Sequence, residues 1–293
     1  GNGFPYKRAQ ILFALLFIPC YTVTKKGVND MAFDGITIAA MVRELHQNLD
    51  GGRFNKIAQP EPDALVITAK GANGQCRLLL SASASLPLIY FIDKNKPSPL
   101  TAPNFCMLLR KHIGSARISG IRQPGLERAI EFELEHLNEM GDPCRKILIL
   151  ELMGKHSNII FCDEDGNILD SIKHVSSQMS SVREVLPGRP YFIPETQEKA
   201  DPLSVTEEQF LSILSAKSVK LSKALYTSLT GLSPIAAEEI CYRASLDSGR
   251  AASSYEPEEL IHLYRTFCRF LEPLRFGSWE PLCWSIITRI GTL

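Results

Sequence analysis

The residues of this chain that could do chemistry are mostly cationic, and they come in short runs. Arg110-Lys111-His112 closes the apolar stretch Pro103-Asn104-Phe105-Cys106-Met107-Leu108-Leu109. Lys155 and His156 interrupt the apolar stretch Glu151-Leu152-Met153-Gly154-Lys155-His156-Ser157-Asn158-Ile159-Ile160. Cations grouped on otherwise buried elements form a surface suited to an anion, because ammonium and guanidinium donors make their strongest hydrogen bonds to charged oxygens. Each run also has a structural alternative. Cations at the end of a helix favour the negative end of its dipole, and a bend or bulge at Gly154 would turn Lys155 and His156 outward. Glu127-Arg128 follows Gln123-Pro124-Gly125-Leu126 and leads into another apolar run. A carboxylate beside an arginine can hold the guanidinium rigid while its remaining donors reach a phosphate or a base edge. Alternatively, the two form an exposed ion pair of small energetic worth.

Other chemistries find little support. No Gly-x-Ser-x-Gly elbow, Walker loop or Rossmann glycine pattern is present. Asp163, Glu164 and Asp165 fall in a turn sequence and read as a solvated loop. The eight cysteines at 20, 76, 106, 144, 162, 241, 268 and 283 form no Cys-x-x-Cys pair, and the six histidines are dispersed. No metal, cofactor or small-molecule substrate is therefore expected. His46, His136, His174 and His262 read as structural. Cys106 and Cys162 lie in apolar runs and read as buried thiols, which fits a reducing cytoplasm. The 32 basic and 32 acidic residues give zero formal net charge. That balance argues against a small basic nucleic-acid-binding domain, but not against local basic patches.

The elements that must carry these groups are legible in outline. Apolar residues at helical spacing predict a helix over 36–49, with Asp34 as its N-cap and Asp50-Gly51-Gly52 as its stop. Short apolar runs predict strands over 53–59, 64–70, 76–81 and 88–92, separated by Gln59-Pro60-Glu61-Pro62 and Gly71-Ala72-Asn73-Gly74. A helix over 103–113 interrupts them. Further strands are expected over 116–123, 128–135, 146–151, 158–162 and 168–173, the last two joined by an Asp-Gly hairpin. The fold class is α+β, a mainly antiparallel sandwich or open barrel. Residues 174–203 read as an ordered linker. Helices follow: Ser204-Val205-Thr206-Glu207 is a capping box, and Pro234 and Pro257 sit at first-turn positions of helices over 234–245 and 257–272, after one over 218–229. Leu229-Thr230-Gly231-Leu232-Ser233-Pro234 is a tight helix–glycine–helix turn. It is either a structural hairpin or a turn that presents backbone N–H groups to a phosphate.

Residues 1–30 stand apart. Lys7 and Arg8 precede an apolar run over 11–23 that imitates a secretory signal, but no small-x-small cleavage site follows it. Lys25-Lys26-Gly27-Val28 can be encoded by a ribosome-binding sequence ahead of Met31. Residues 1–30 are therefore expected to be translated upstream sequence, the alternative being an anchor or export signal. The run is too short for a confident membrane span, and no membrane partner is expected.

The two long runs together, Phe105-Cys106-Met107-Leu108-Leu109-Arg110-Lys111-His112 and Glu151-Leu152-Met153-Gly154-Lys155-His156-Ser157-Asn158, resemble the N-terminal domain of the NFACT family. These are bacterial ribosome-quality-control factors long labelled fibronectin-binding proteins. The resemblance begins at Met31-Ala32-Phe33-Asp34-Gly35 and runs to about residue 275. It implies a β-rich domain with its linker over 31–200, similar to the N-terminal domain of formamidopyrimidine-DNA glycosylases. A helix-hairpin-helix-like domain would follow over 201–275, and 276–293 would begin a further segment. Beyond that, the family implies a coiled coil and a C-terminal RNA-binding domain, so the chain is expected to be a fragment that binds ribosomes weakly.

The same resemblance implies that Asp34, Glu127 and Arg128 bind tRNA, with Glu127 standing where the family carries aspartate. Arg110, Lys111, His112, Lys155 and His156 become candidate RNA phosphate contacts. The implied partners are tRNA, alanine tRNA in the family, and the large ribosomal subunit. The implied activity is template-free alanine tailing, with the ribosome itself forming the peptide bond, in the cytoplasm. Two other readings remain. A surface adhesin would need an export signal. A glycosylase or abasic-site lyase would need an N-terminal proline followed by glutamate, which Met31-Ala32-Phe33 does not supply.

Overall fold

A computed structural model describes residues 33–94, 96–137, 140–194 and 199–276. The expectations for residues 1–30, and for the segment from 277 onward, lie outside the described residues. Helix α1 (Gly35–Leu49) buries Ile38, Met41, Val42, Leu45 and Leu49 along one face. Asp50 and Gly51, the latter at φ +65°, end it. Its start and stop are those expected, because both are set by local hydrogen bonding and by a left-handed position that glycine adopts freely.

Nine strands form one sheet in which every pairing is antiparallel: β1 (Arg53–Glu61), β2 (Ala64–Gly71), β3 (Gly74–Ser81), β4 (Leu88–Phe91), β5 (Arg117–Arg122), β6 (Ala129–Leu137), β7 (Pro143–Glu151), β8 (Asn158–Asp163) and β9 (Ile168–Ser171). Their order is β4-β3-β2-β1-β5-β6-β7-β8-β9, and helix α2 (Asn104–Ile113) lies between β4 and β5 in the chain. The α+β class is thus observed. The two halves of the sheet meet at β1 and β5 through the single pair Arg53↔Arg117. They share one core, in which Phe54, Ile67 and Leu80 from one half join Phe132, Leu148 and Phe161 from the other, with α1 and α2.

The Lys173 ammonium, just after β9, donates to the carbonyl oxygens of Ala82, just after β3, and Ser157. In a flat sheet β3 and β9 would lie about 34 Å apart at ~4.8 Å per strand. The sheet therefore curls on itself, as an open barrel does.

One turn falls differently from expectation. β1 continues through Pro60 to Glu61, with a register irregularity between Ala58 and Glu61. Proline cannot donate to a ladder, and an irregular register is where a strand tolerates it. The turn is confined to Pro62-Asp63.

Residues 174–194 form the ordered linker and lie as a strap along β9. Val175 bridges Val185, Asn167 bridges Pro190, and the N–H of Ile168 donates to the carbonyl of Arg189. Under the strap, Ile149, Ile160, Cys162, Ile168 and Val185 make a second apolar cluster. Glu151 ends β7 fully buried, and its carboxylate accepts from the Arg183 guanidinium and, at 3.1 Å, from the Tyr191 hydroxyl.

The helical unit comprises α3 (Glu207–Ser215), α4 (Leu221–Ser228), α5 (Pro234–Arg243) and α6 (Pro257–Phe276). Its capping box is shifted two residues from the expected one. Thr206 caps α3 with Gln209 as its reciprocal partner, while the Ser204 hydroxyl donates to Asp201. Pro234 occupies the first turn of α5, and Pro257 opens α6, as expected. Among the described residues no helix is long and apolar enough to cross a membrane.

The strap clasp yields a prediction. Arg183→Met leaves the Glu151 carboxylate buried without a cation and should lower the unfolding free energy by about 3 kcal/mol. Adding Glu151→Leu should recover about half of that loss or more, since two apolar groups need no partner. Urea denaturation of the three variants checks both statements.

Candidate functional site

The site is assembled where the sheet unit meets the helical unit. Asp34 caps α1 as expected: its Oδ1 accepts from the Thr37 backbone N–H at 2.9 Å and from the Thr37 hydroxyl at 2.7 Å. Its Oδ2 accepts from the Ser233 hydroxyl at 2.6 Å, across 199 residues of sequence. Ser233 is in turn the N-cap of α5, its Oγ accepting from the Ala236 N–H at 3.1 Å. One carboxylate thus serves the positive ends of two helices. Pro234 has no N–H to offer, so the glycine turn closes α5 from within and ties it to α1.

The backbones approach closely at the same point. The Gly35 N–H donates to the Gly231 carbonyl at 2.9 Å. A Cβ on Gly35 would lie 1.9 Å from the Leu126 carbonyl oxygen, and one on Gly231, whose φ is +74°, would lie 2.3 Å from the same atom. Only glycine fits at either position. The Gln123 amide then donates at 2.8 Å to the carbonyls of both Gly35 and Glu127. The loop carrying Glu127 and Arg128 is thereby held against the first turn of α1. The Arg128 carbonyl accepts from the Leu152 N–H at 2.9 Å, which fixes its other side to the end of β7.

Glu127 and Arg128 are half-buried beside this junction, and so is Lys199. The Lys199 ammonium donates to the Tyr226 carbonyl at 3.1 Å, and Ala200 laces to Ser228 and Thr230 by backbone hydrogen bonds. Burial pushes the Glu127 carboxyl above its ordinary value, with the Arg128 and Lys199 charges opposing that shift. Burial lowers the Lys199 amine, and the neighbouring Arg128 charge lowers it further, while Glu127 acts the other way. Three ionisable groups therefore sense one another here, two of them cations. Among the described residues neither Arg128 nor Lys199 has an ion-pair partner within hydrogen-bonding reach.

The structure brings Asp34, Glu127 and Arg128 into one neighbourhood. Lys155 and His156 lie at the same end of the sheet, exposed on a 3₁₀ turn over Gly154–His156 that begins at Gly154 with φ +60°. The outward turn anticipated at Gly154 is this 3₁₀ turn rather than a bulge.

Arg110, Lys111 and His112 are elsewhere. The Arg110 Nε donates to the Ile57 carbonyl at 2.7 Å. The His112 ring packs 6.0 Å from that of Phe161 and 6.4 Å from that of His136. Lys111 is exposed between them. Consecutive residues on a helix point about 100° apart, so the three side chains diverge. His136 is also seven residues along β6 from Ala129, about 23 Å from the Arg128 end at ~3.3 Å per residue. Gln123, Lys199 and Ser233 are the site's unanticipated members. Gln123 stood in the quoted run beside Glu127, and Ser233 in the helix turn. Lys199 lies in the linker with no motif around it.

Comparison with known proteins gives a consistent result. A family model described as the NFACT N-terminal and middle domains matches residues 34–289. The Bacillus subtilis protein named Rqc2 homolog RqcH is 41% identical over 219 residues, covering 74% of this chain and 38% of that protein. A human ribosome quality control complex subunit, NEMF, is 24% identical over 202 residues, covering 69% of this chain and 18% of its own length. The solved N-terminal structure of a fibronectin/fibrinogen-binding protein from Streptococcus suis superposes with a TM-score of 0.68 at 32% identity, covering 80% of this chain and 85% of that one. The chain spans about two fifths of the length of the B. subtilis relative.

Two predictions arise from the junction. Gly35→Ala should cost more than about 2 kcal/mol, since its Cβ meets backbone that cannot give way. Hydrogen exchange should quicken over residues 229–237 in that variant. The second concerns Glu127. The folded state holds its proton to a higher pH than the unfolded chain does, so stability is greatest below the ordinary carboxyl value of 4.5 and falls as pH rises through the raised one. Glu127→Gln should remove that falling slope from a series of denaturation curves.

Proposed function

The chain belongs to the NFACT family, and on that premise we propose that it is an RNA-binding component of ribosome-associated quality control. It engages tRNA, alanine tRNA by family resemblance, and the large ribosomal subunit carrying a stalled peptidyl-tRNA. There it promotes template-free addition of alanine to the C-terminus of the nascent chain. The ribosome forms the peptide bond, and this protein positions RNA in the cytoplasm rather than supplying a nucleophile.

The observation that carries the reading is the convergence of Asp34, Glu127 and Arg128 at one junction, although 93 residues of sequence separate the first from the second (127 − 34). Arginine and lysine there have donors directed at no carboxylate among the described residues, which is the condition for receiving a phosphate or a base edge. Lys155 and His156, exposed at the same end of the sheet, extend the cationic surface.

The name of the S. suis structure favours a second reading, a cell-surface protein that binds fibronectin. The two readings place the chain on opposite sides of the membrane, so cell fractionation separates them.

Crosslinking in cells followed by sequencing of the bound RNA tests the first reading. Residues 31–293 should enrich one tRNA class, and the double variant Glu127→Ala, Arg128→Ala should lose that enrichment at the same salt concentration. Equal and unselective recovery from both proteins would remove the assigned site.

A further inference from the structure

We propose that Lys199 is a second phosphate-binding side chain of this site, acting with Arg128 across Glu127 on one stretch of nucleic-acid backbone; the inference rests on the tRNA-binding reading above. Lys199 belongs to the segment that enters the helical unit, whereas Arg128 belongs to the sheet unit. On this proposal the binding surface draws its charge from both sides of the junction.

The argument begins with how Lys199 is held. Its ammonium donates one hydrogen bond to the Tyr226 carbonyl at 3.1 Å, which leaves two N–H groups. Ala200, next in the chain, is fixed by its N–H to Ser228 and by its carbonyl to Thr230, both immediately before the Gly231 turn. The lysine is therefore placed by the same backbone that packs on Gly35 and Leu126. It is half-buried, as is Arg128, and each senses the other's charge.

Bringing two like charges together at a partly desolvated place is unfavourable unless an anion joins them. Among the described residues, the carboxylate on which both act is Glu127, and burial works against its charge. The trio carries a net positive charge even with Glu127 ionised. A phosphate oxygen entering between the cations would supply the missing negative charge. A tether to Tyr226 alone would need only a neutral donor, so the charge on residue 199 has no structural purpose at that contact.

That distinction defines the experiment. Fluorescently labelled bulk bacterial tRNA is titrated with the 293-residue chain at several salt concentrations, alongside Lys199→Gln, Lys199→Arg and Arg128→Ala. Glutamine keeps a donor for Tyr226 and loses the charge, whereas arginine keeps the charge. Lys199→Gln should weaken binding about five- to tenfold and reduce the slope of log affinity against log salt by ~0.7–0.9, the signature of one lost phosphate contact. Lys199→Arg should stay within about twofold of the parent with its slope intact.

If Arg128→Ala weakens binding while Lys199→Gln keeps both affinity and slope, the Lys199 inference falls and the tRNA reading stands. Weakened binding by Lys199→Gln with an unchanged slope and a lowered melting temperature also overturns it, in favour of a structural tether. If the parent chain does not bind tRNA, the tRNA reading itself falls; if it binds and no variant differs from it, the Lys199 inference and the assigned site both fall.

Discussion

The contact on which the rest of the molecule depends is the meeting of Gly35, Gly231 and the Leu126 carbonyl. With no room for a Cβ on either glycine, the first turn of α1 and the turn before α5 approach to hydrogen-bonding distance of their backbones. Ile36 and Leu126, both of the sheet unit, are thereby drawn into the apolar core of the helical unit. The consequence is geometric. Asp34, one residue before Gly35, and Ser233, two residues after Gly231, have to face each other, and the Asp34–Ser233 hydrogen bond locks the register. Gln123 extends the same junction to the loop bearing Glu127 and Arg128. The candidate site is thus a by-product of how two cores are joined, and its precision comes from backbone contact rather than from long flexible side chains.

The molecule uses a glutamate and an arginine in two different ways, and the contrast clarifies the site. Glu151 and Arg183 are 0% and 11% exposed and satisfy each other directly, with Tyr191 completing the carboxylate's hydrogen bonds. Such a clasp is closed, since nothing is left over for a ligand. Glu127 and Arg128 are neighbours in sequence, and they make no ion pair. The charges of both Arg128 and Lys199 act on the Glu127 carboxylate without either making an ion pair with it. The first arrangement stabilises a strap. The second leaves positive charge at a notch, which is the condition under which an anion can replace lost hydration.

Much of the fold was legible because its signals are local. Helix α1 follows from apolar spacing plus Asp34 and Gly51, and the hairpin at Asp163 to Asn167 follows from Asp-Gly, with the Asp163 carboxylate accepting from the Asp165 and Asn167 N–H groups. The misplacements also have local causes. Pro60 reads as a turn because prolines usually end strands, and a register irregularity in β1 accommodates it. Ser204 and Thr206 are both capping residues, and only the packing of α3 decides between them. The site was legible where a motif carried it, at Asp34, Glu127 and Arg128. It was illegible at Lys199, whose position is set by pairing with residues 228 and 230 and by proximity to a loop some seventy positions earlier. Arg110 to His112 looked like one cationic cluster because sequence shows adjacency and hides the helical rotation that sends Arg110 to the β1 carbonyl and His112 to the Phe161 ring.

Zero net charge sits awkwardly with the proposed RNA binding only while charge is treated as a total. On the outer face of β6, Glu131, Glu133 and Glu135 recur at alternate positions and meet Arg122, Arg117 and Arg145 from the strands beside it. Those three arginines are neutralised where they stand, and their carboxylates with them. Exposed charges separated by more than about 10 Å are largely screened at ordinary ionic strength, so this ladder contributes little to the field at its far end. At that end the charges of Arg128 and Lys199 act on the Glu127 carboxylate, whose ionisation burial opposes, and Lys155 and His156 are exposed on the turn after β7. The distribution of acid and base separates a quiet face from a cationic rim, and the rim is where the two units join. A balanced chain can in this way present a local positive field while remaining near neutrality as a whole, which limits unselective attraction to nucleic acid.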